Sequence, residues 1–62
     1  MDYIEYKLLN SLQKNARLTN LELAKQVGLS ASPCLRRVKS LEESGVITGY
    51  SAIINQNKVH LS

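Results

Sequence analysis

Phenylalanine and tryptophan are absent from this 62-residue chain, and tyrosine supplies all three aromatic residues. The core must therefore come from Leu, Ile, Val and Ala, which suits short packed helices. A single cysteine excludes an internal disulfide. Cys34 and His60 are the only soft metal ligands and form no zinc-binding pattern, so neither a metal nor any other cofactor is expected. The chain has no glycine-rich phosphate loop, no paired carboxylates in a pocket-forming context and no base beside its thiol, which leaves an enzyme reading almost empty. No apolar stretch approaches the ~20 residues of a membrane span. Met1-Asp2-Tyr3 begins no signal peptide, and a lone thiol suits a reducing compartment, so a cytoplasmic protein with no membrane partner is expected. One local absence is more informative: residues 30–41 contain no acidic residue.

That stretch lies within "GLSASPCLRRVKSLEESG", residues 28–45, where Arg36, Arg37 and Lys39 fall within four positions. The whole chain is mildly basic, with net charge +3 and an isoelectric point near 9.3. Such a charge permits a polyanionic partner without requiring one. A chain of about 60 residues buries only roughly 60% of its unfolded surface, so good helix caps or a second subunit must support the fold.

Three helices can be read from caps and apolar spacing. Asp2 with Glu5 makes a capping-box-like start, and Ile4, Leu8, Leu9 and Leu12 form one apolar stripe ending near Lys14 or Asn15. Thr19 with Glu22 is a capping box of the usual S/T-x-x-E form, and Leu23, Ala24 and Val27 follow on one face. Gly28 ends this second helix in a left-handed conformation. The third helix begins at Ser30 or Ser32, with Pro33 in its first turn, where a missing N–H costs nothing. Cys34, Val38 and Leu41 turn inward, Leu35 widens that stripe, and Gly45 closes the helix. Residues 46–54, "VITGYSAII", are rich in β-branched side chains and read as a strand. Residues 56–62 form a polar tail with no firm structure.

The joint between the second and third helices carries the functional signal. Ala24 lets the two helices cross closely, Gly28 turns the chain, and Leu23, Val27 and Leu29 fill the angle. This is a helix-turn-helix arrangement, whose second helix is offered to the DNA major groove. On a 100° wheel Ser32, Pro33, Arg36, Lys39 and Ser40 point outward, with Arg37 on the flank. The same cations have a plainer use as solubilising groups paired with Glu42 or Glu43. Cys34 reads as a core residue, His60 as a surface residue, and Tyr50 as packing on the helices.

The run "NLELAKQVGLSASPCLRRVKSLEESGVITGYSAIIN", residues 20–55, resembles the N-terminal DNA-binding module of the Lrp/AsnC (leucine-responsive, feast/famine) transcription regulators. Its most specific part is Ser32-Pro33-Cys34-Leu35-Arg36-Arg37-Val38, followed by Leu41-Glu42 and Gly45-Val46-Ile47. The resemblance implies a mostly α fold: a three-helix, winged-type helix-turn-helix domain over residues 1–55, followed by one linker strand at 46–54. It implies sequence-specific binding of double-stranded DNA, with the third helix, about residues 31–44, in the major groove. The residues matched are Ser30, Ser32, Pro33, Arg36, Arg37, Lys39 and Ser40 on the reading helix, with Thr19 and Asn20 at the start of the helix before it. Family members continue into an amino-acid-binding domain that none of these residues supplies, so no small-molecule effector site is expected here. Residues 47–54 have no partner strand in the chain, which leads to the expectation of a homodimer made by pairing two such strands. The alternative reading is a protein-interaction module, or a truncated regulator acting through mixed dimers with longer relatives.

Overall fold

The computed structural model describes residues 1–60 and places three helices in one small body. α1 spans Tyr3–Lys14, α2 Asn20–Val27 and α3 Ala31–Glu43, and a short α4 follows at Gln56–His60. Asp2 caps α1, its Oδ1 accepting from the Glu5 N–H at 2.9 Å. Only this half of the expected reciprocal pair forms. At the other end, the Asn15 side chain accepts from the Arg17 N–H at 3.0 Å and turns the chain out of the helix.

The start of α2 is the complete capping box. Thr19 Oγ1 accepts from the Glu22 N–H at 3.2 Å, and the Glu22 carboxylate accepts from the Thr19 N–H at 2.8 Å. Each half satisfies a backbone donor that the first helical turn leaves without a partner. Gly28 ends α2 at φ 76°, and the N–H groups of Gly28 and Leu29 both donate to the Ala24 carbonyl. α3 starts after Ser30, so Ser32 is its second residue rather than its cap. Ser30 makes no side-chain capping bond. Pro33 occupies the third helical position and removes a donor that such a cap uses.

The core is the one expected from the apolar spacing. Leu8, Leu23, Ala24, Val27, Cys34 and Leu41 are buried, with Ile4, Leu9, Leu12, Leu18, Leu29, Val38 and Ile47 packed around them. α2 is barely two turns long and packs on both neighbours, which supplies the stability its length cannot. Leu35 departs from the expectation: it is 45% exposed and lies at the edge of the inward stripe.

The other departures lie beyond α3. Gly45 turns the chain at φ 85°, and the Ile47 N–H donates to the Leu41 carbonyl at 3.0 Å, bringing Ile47 down onto the core. Residues 46–54 were expected to be a strand, but no strand forms among the described residues. A β-ladder needs a neighbouring strand to receive its N–H and C=O groups, and none is present among the described residues. Residues 48–60 are exposed throughout. The radius of gyration, 14.1 Å, exceeds the roughly 11 Å of a compact chain this long, and the longest dimension is 44 Å against 23 and 17 Å for the others. The C-terminal segment thus forms an arm standing away from the body. The tail, expected to lack structure, contains the single turn of α4, started by Asn55 accepting from the Lys58 N–H at 3.2 Å. One turn is too short to show apolar periodicity. The last two tail positions lie outside the described residues.

Candidate nucleic-acid interface

The helix-turn-helix pair presents one face of α3 to solvent. Ser30, Ser32, Arg36, Lys39 and Ser40 are exposed on it, and Pro33 is half-buried at its N-terminal edge. Neither Arg36 nor Lys39 is paired with Glu42 or Glu43; among the described residues the only ion pair is Arg37–Asp2. Glu42 is engaged elsewhere, accepting from the Tyr50 hydroxyl at 2.7 Å. That bond holds the base of the arm against α3, and burial, followed by the Glu42 carboxylate, pushes the Tyr50 phenol above its ordinary range. Arg36 and Lys39 consequently carry uncompensated charge on a face with no acidic residue between positions 30 and 41.

The three remaining sequence-derived candidates are engaged within the fold. Thr19 is the cap of α2. Asn20 is half-buried, and its Nδ2 donates to the Ala31 carbonyl at 2.8 Å, bridging the first residue of α2 to the first residue of α3. Arg37 is half-buried on the flank of α3, where its Nη1 lies 2.7 Å from Asp2 Oδ2. The Arg37 guanidinium, followed by the Glu5 N–H, holds the Asp2 carboxyl below its ordinary value of 3.8. Similarly, the backbone and hydroxyl of Thr19 hold Glu22 low.

Sequence reasoning missed Asp2 as a partner of α3, because the two residues are 35 positions apart and no local pattern links them. The Ala31 carbonyl was equally invisible, being a backbone group. Cys34 is fully buried, and desolvation pushes its thiol upward in pKa, as its place on the inward stripe led one to expect. His60 is exposed. No helix of the described residues is long and apolar enough to cross a membrane.

A close-crossing helix pair with a cationic outer face on its second member defines a protein of the helix-turn-helix class. Residues 1–48 match the family described as winged helix-turn-helix DNA-binding, so the chain belongs to that family, in its Lrp/AsnC group of transcription regulators. It is 58% identical over 55 residues to the leucine-responsive regulatory protein of Rhizobium meliloti, a match covering 89% of this chain and 35% of that protein. Among solved structures it superimposes on transcriptional regulator NMB0573 of Neisseria meningitidis, solved as an L-Met complex, with a TM-score of 0.92. Identity there is 48%, over 98% of this chain and 40% of the other. An AsnC family transcriptional regulator from Agrobacterium tumefaciens gives a TM-score of 0.89 at 44% identity, over 95% of this chain and 39% of that one. The chain thus spans a little over a third of the length of these relatives. They are transcription regulators, not enzymes.

Proposed function

We propose that this protein binds double-stranded DNA sequence-specifically in the cytoplasm, as a transcription regulator, by placing α3 in the major groove. The observation that carries this reading is the outward face of α3, where Arg36 and Lys39 lack acidic partners among the described residues. An Arg reading guanine contributes roughly 1–3 kcal/mol of discrimination, and a Lys beside it adds phosphate attraction. The uncapped start of α3 supports the same reading. Ser30, left without a backbone partner by Pro33, keeps its hydroxyl available together with the N–H groups of the first turn. In this reading Ser30, Ser32, Arg36, Lys39 and Ser40 make the contacts, Pro33 shapes the approach, and Thr19 stands at the flank. The unit that does this lies within residues 1–55.

The arm favours a second copy as partner. Tyr50 and Ile54 are about half exposed and Ile53 fully, and Val46 is about half exposed where the body gives way to the arm. Val46, Tyr50 and Ile53 line a groove of about 630 Å³ whose other side is formed by Tyr6, Leu9 and Gln13 of α1. Pairing of residues 47–54 between two copies would cover this surface and satisfy the backbone. Two reading helices could then address half-sites about 34–36 Å apart.

Fluorescence anisotropy with labelled duplex DNA, titrated between roughly 50 and 200 mM salt, tests the first claim. Affinity should fall with salt at a log–log slope near −0.9 per phosphate contact. The Arg36→Ala/Lys39→Ala variant should bind more weakly with a shallower slope. Retention of full affinity and slope in that variant would move the interface off α3. Sedimentation equilibrium tests the second claim: a dimer mass is expected, and a single-chain mass at high micromolar concentration overturns it.

A further inference from the structure

Two of the residues matched to the DNA-reading motif have their side chains engaged inside the molecule. Asn20 ties the start of α3 to the start of α2 through the Ala31 carbonyl at 2.8 Å. Arg37 ties the middle of α3 to the N-cap of α1 through Asp2 at 2.7 Å. Among the described residues these are the only side-chain hydrogen bonds joining α3 to the other two body helices. The remaining contacts of α3 with the body are apolar, and apolar packing is non-directional. A hydrogen bond, by contrast, fixes distance and angle. We infer that Asn20 and Arg37 are positioning residues: with Asp2 they suspend the reading helix from two points and set its angle, rather than contacting DNA.

The chemistry of the two ties fits that division of labour. The Arg37–Asp2 pair is locally neutral, so it adds little net attraction for phosphate, whereas the charges of Arg36 and Lys39 are uncompensated. Asp2 links two functions, since one carboxylate oxygen caps α1 and the other holds Arg37. Whatever fixes the first turn of α1 therefore also fixes the middle of α3. The Asn20 tie acts at the N-terminal end of α3, next to Ser30 and Ser32, where the helix would enter the groove.

Since this inference rests on the proposed DNA binding, its test includes a readout that needs no DNA. Asp2→Asn is the sharpest variant, because Asn caps a helix as well as Asp while lacking the charge. In the free protein, Asp2→Asn and Arg37→Gln should shift the same set of backbone amide resonances, in the first turn of α1 and along α3. Disjoint sets of shifts would mean that the tie does not hold α3, whatever the DNA result. With duplex DNA, Asp2→Asn, Arg37→Gln and their double variant should each lose affinity by the same factor. That factor is roughly two- to fivefold, the equivalent of one exposed ion pair. All three should keep the salt slope of the parent, and Asn20→Ala should do likewise, whereas Arg36→Gln should lower the slope by about 0.9. A drop of about 0.9 in Arg37→Gln, with Asp2→Asn binding as the parent does, would make Arg37 a phosphate contact and overturn the inference. If the parent itself binds no DNA, the proposed function fails, and the amide shifts alone decide whether the ties position α3.

Discussion

Residues 3–47 and residues 48–60 are built on opposite rules. In the body each helix is entered from a residue with extended backbone angles, and α2 and α3 are left through glycines at positive φ. Every buried side chain among the described residues lies there. In the arm no residue is buried, one turn of helix is the only regular structure, and Ile53 is wholly exposed. The comparison separates two uses of apolar residues. Leu8 and Val27 hold this chain together, whereas Ile53 packs on nothing within it and remains available to another surface.

The largest contrast comes from truncating the two classes. Leu8→Ala should destabilise the body by about 2–5 kcal/mol, since the side chain is fully buried and its neighbours cannot all close the space. That equals the roughly 3–5 kcal/mol a core this small supplies, so thermal melts should show an unfolded or barely folded variant. Gly28→Ala should cost about 1–2 kcal/mol through backbone strain alone, because nothing lies within 4 Å of the added Cβ. Thr19→Ala should cost about 1 kcal/mol by opening the capping box, with the loss appearing as faster amide exchange in α2.

Acid should act on the body in the same sense. Asp2 and Glu22 have folded pKa values below their ordinary ones, so each stabilises the folded state above the usual carboxylate range. That contribution is lost as pH falls from about 4 through the lower folded values. Urea midpoints measured between pH 5 and 2 should therefore decline, and decline less in Asp2→Asn than in the parent. At the bottom of the scale, Ile53→Asp should leave the melting temperature of a single chain unchanged, within about 0.5 kcal/mol. The same substitution should abolish any dimer made through the arm, so an unchanged dimer mass would assign the interface to another surface.

What the sequence revealed follows the same boundary. The three body helices, the Thr19–Glu22 box, the left-handed Gly28 and the buried face of Cys34 and Leu41 were legible because each depends on neighbours within one or two turns. The strand at 46–54 was read from β-branched composition, but composition cannot supply the partner that a ladder needs. Leu35 lay on the edge of the wheel, where an average of 100° per residue decides nothing. In the candidate interface, the outward set of Ser32, Arg36, Lys39 and Ser40 was legible from the wheel. The ties of Asn20 and Arg37 were not, because one ends on a backbone carbonyl and the other on a residue 35 positions away.

Cys34 gives this small body an internal clock. Its sulfur is the only thiol in the chain and lies on the inward face of α3 with no exposed surface. Burial also keeps it protonated, so an alkylating reagent meets neither an accessible nor an ionised sulfur while the three helices are closed. Each labelling event must then wait for the core to part. The rate of Cys34 alkylation, compared with that of a free thiol, counts the fraction of molecules momentarily open. Duplex DNA, if bound through α3 as proposed, should slow that count without any probe being attached to the outward face of the helix.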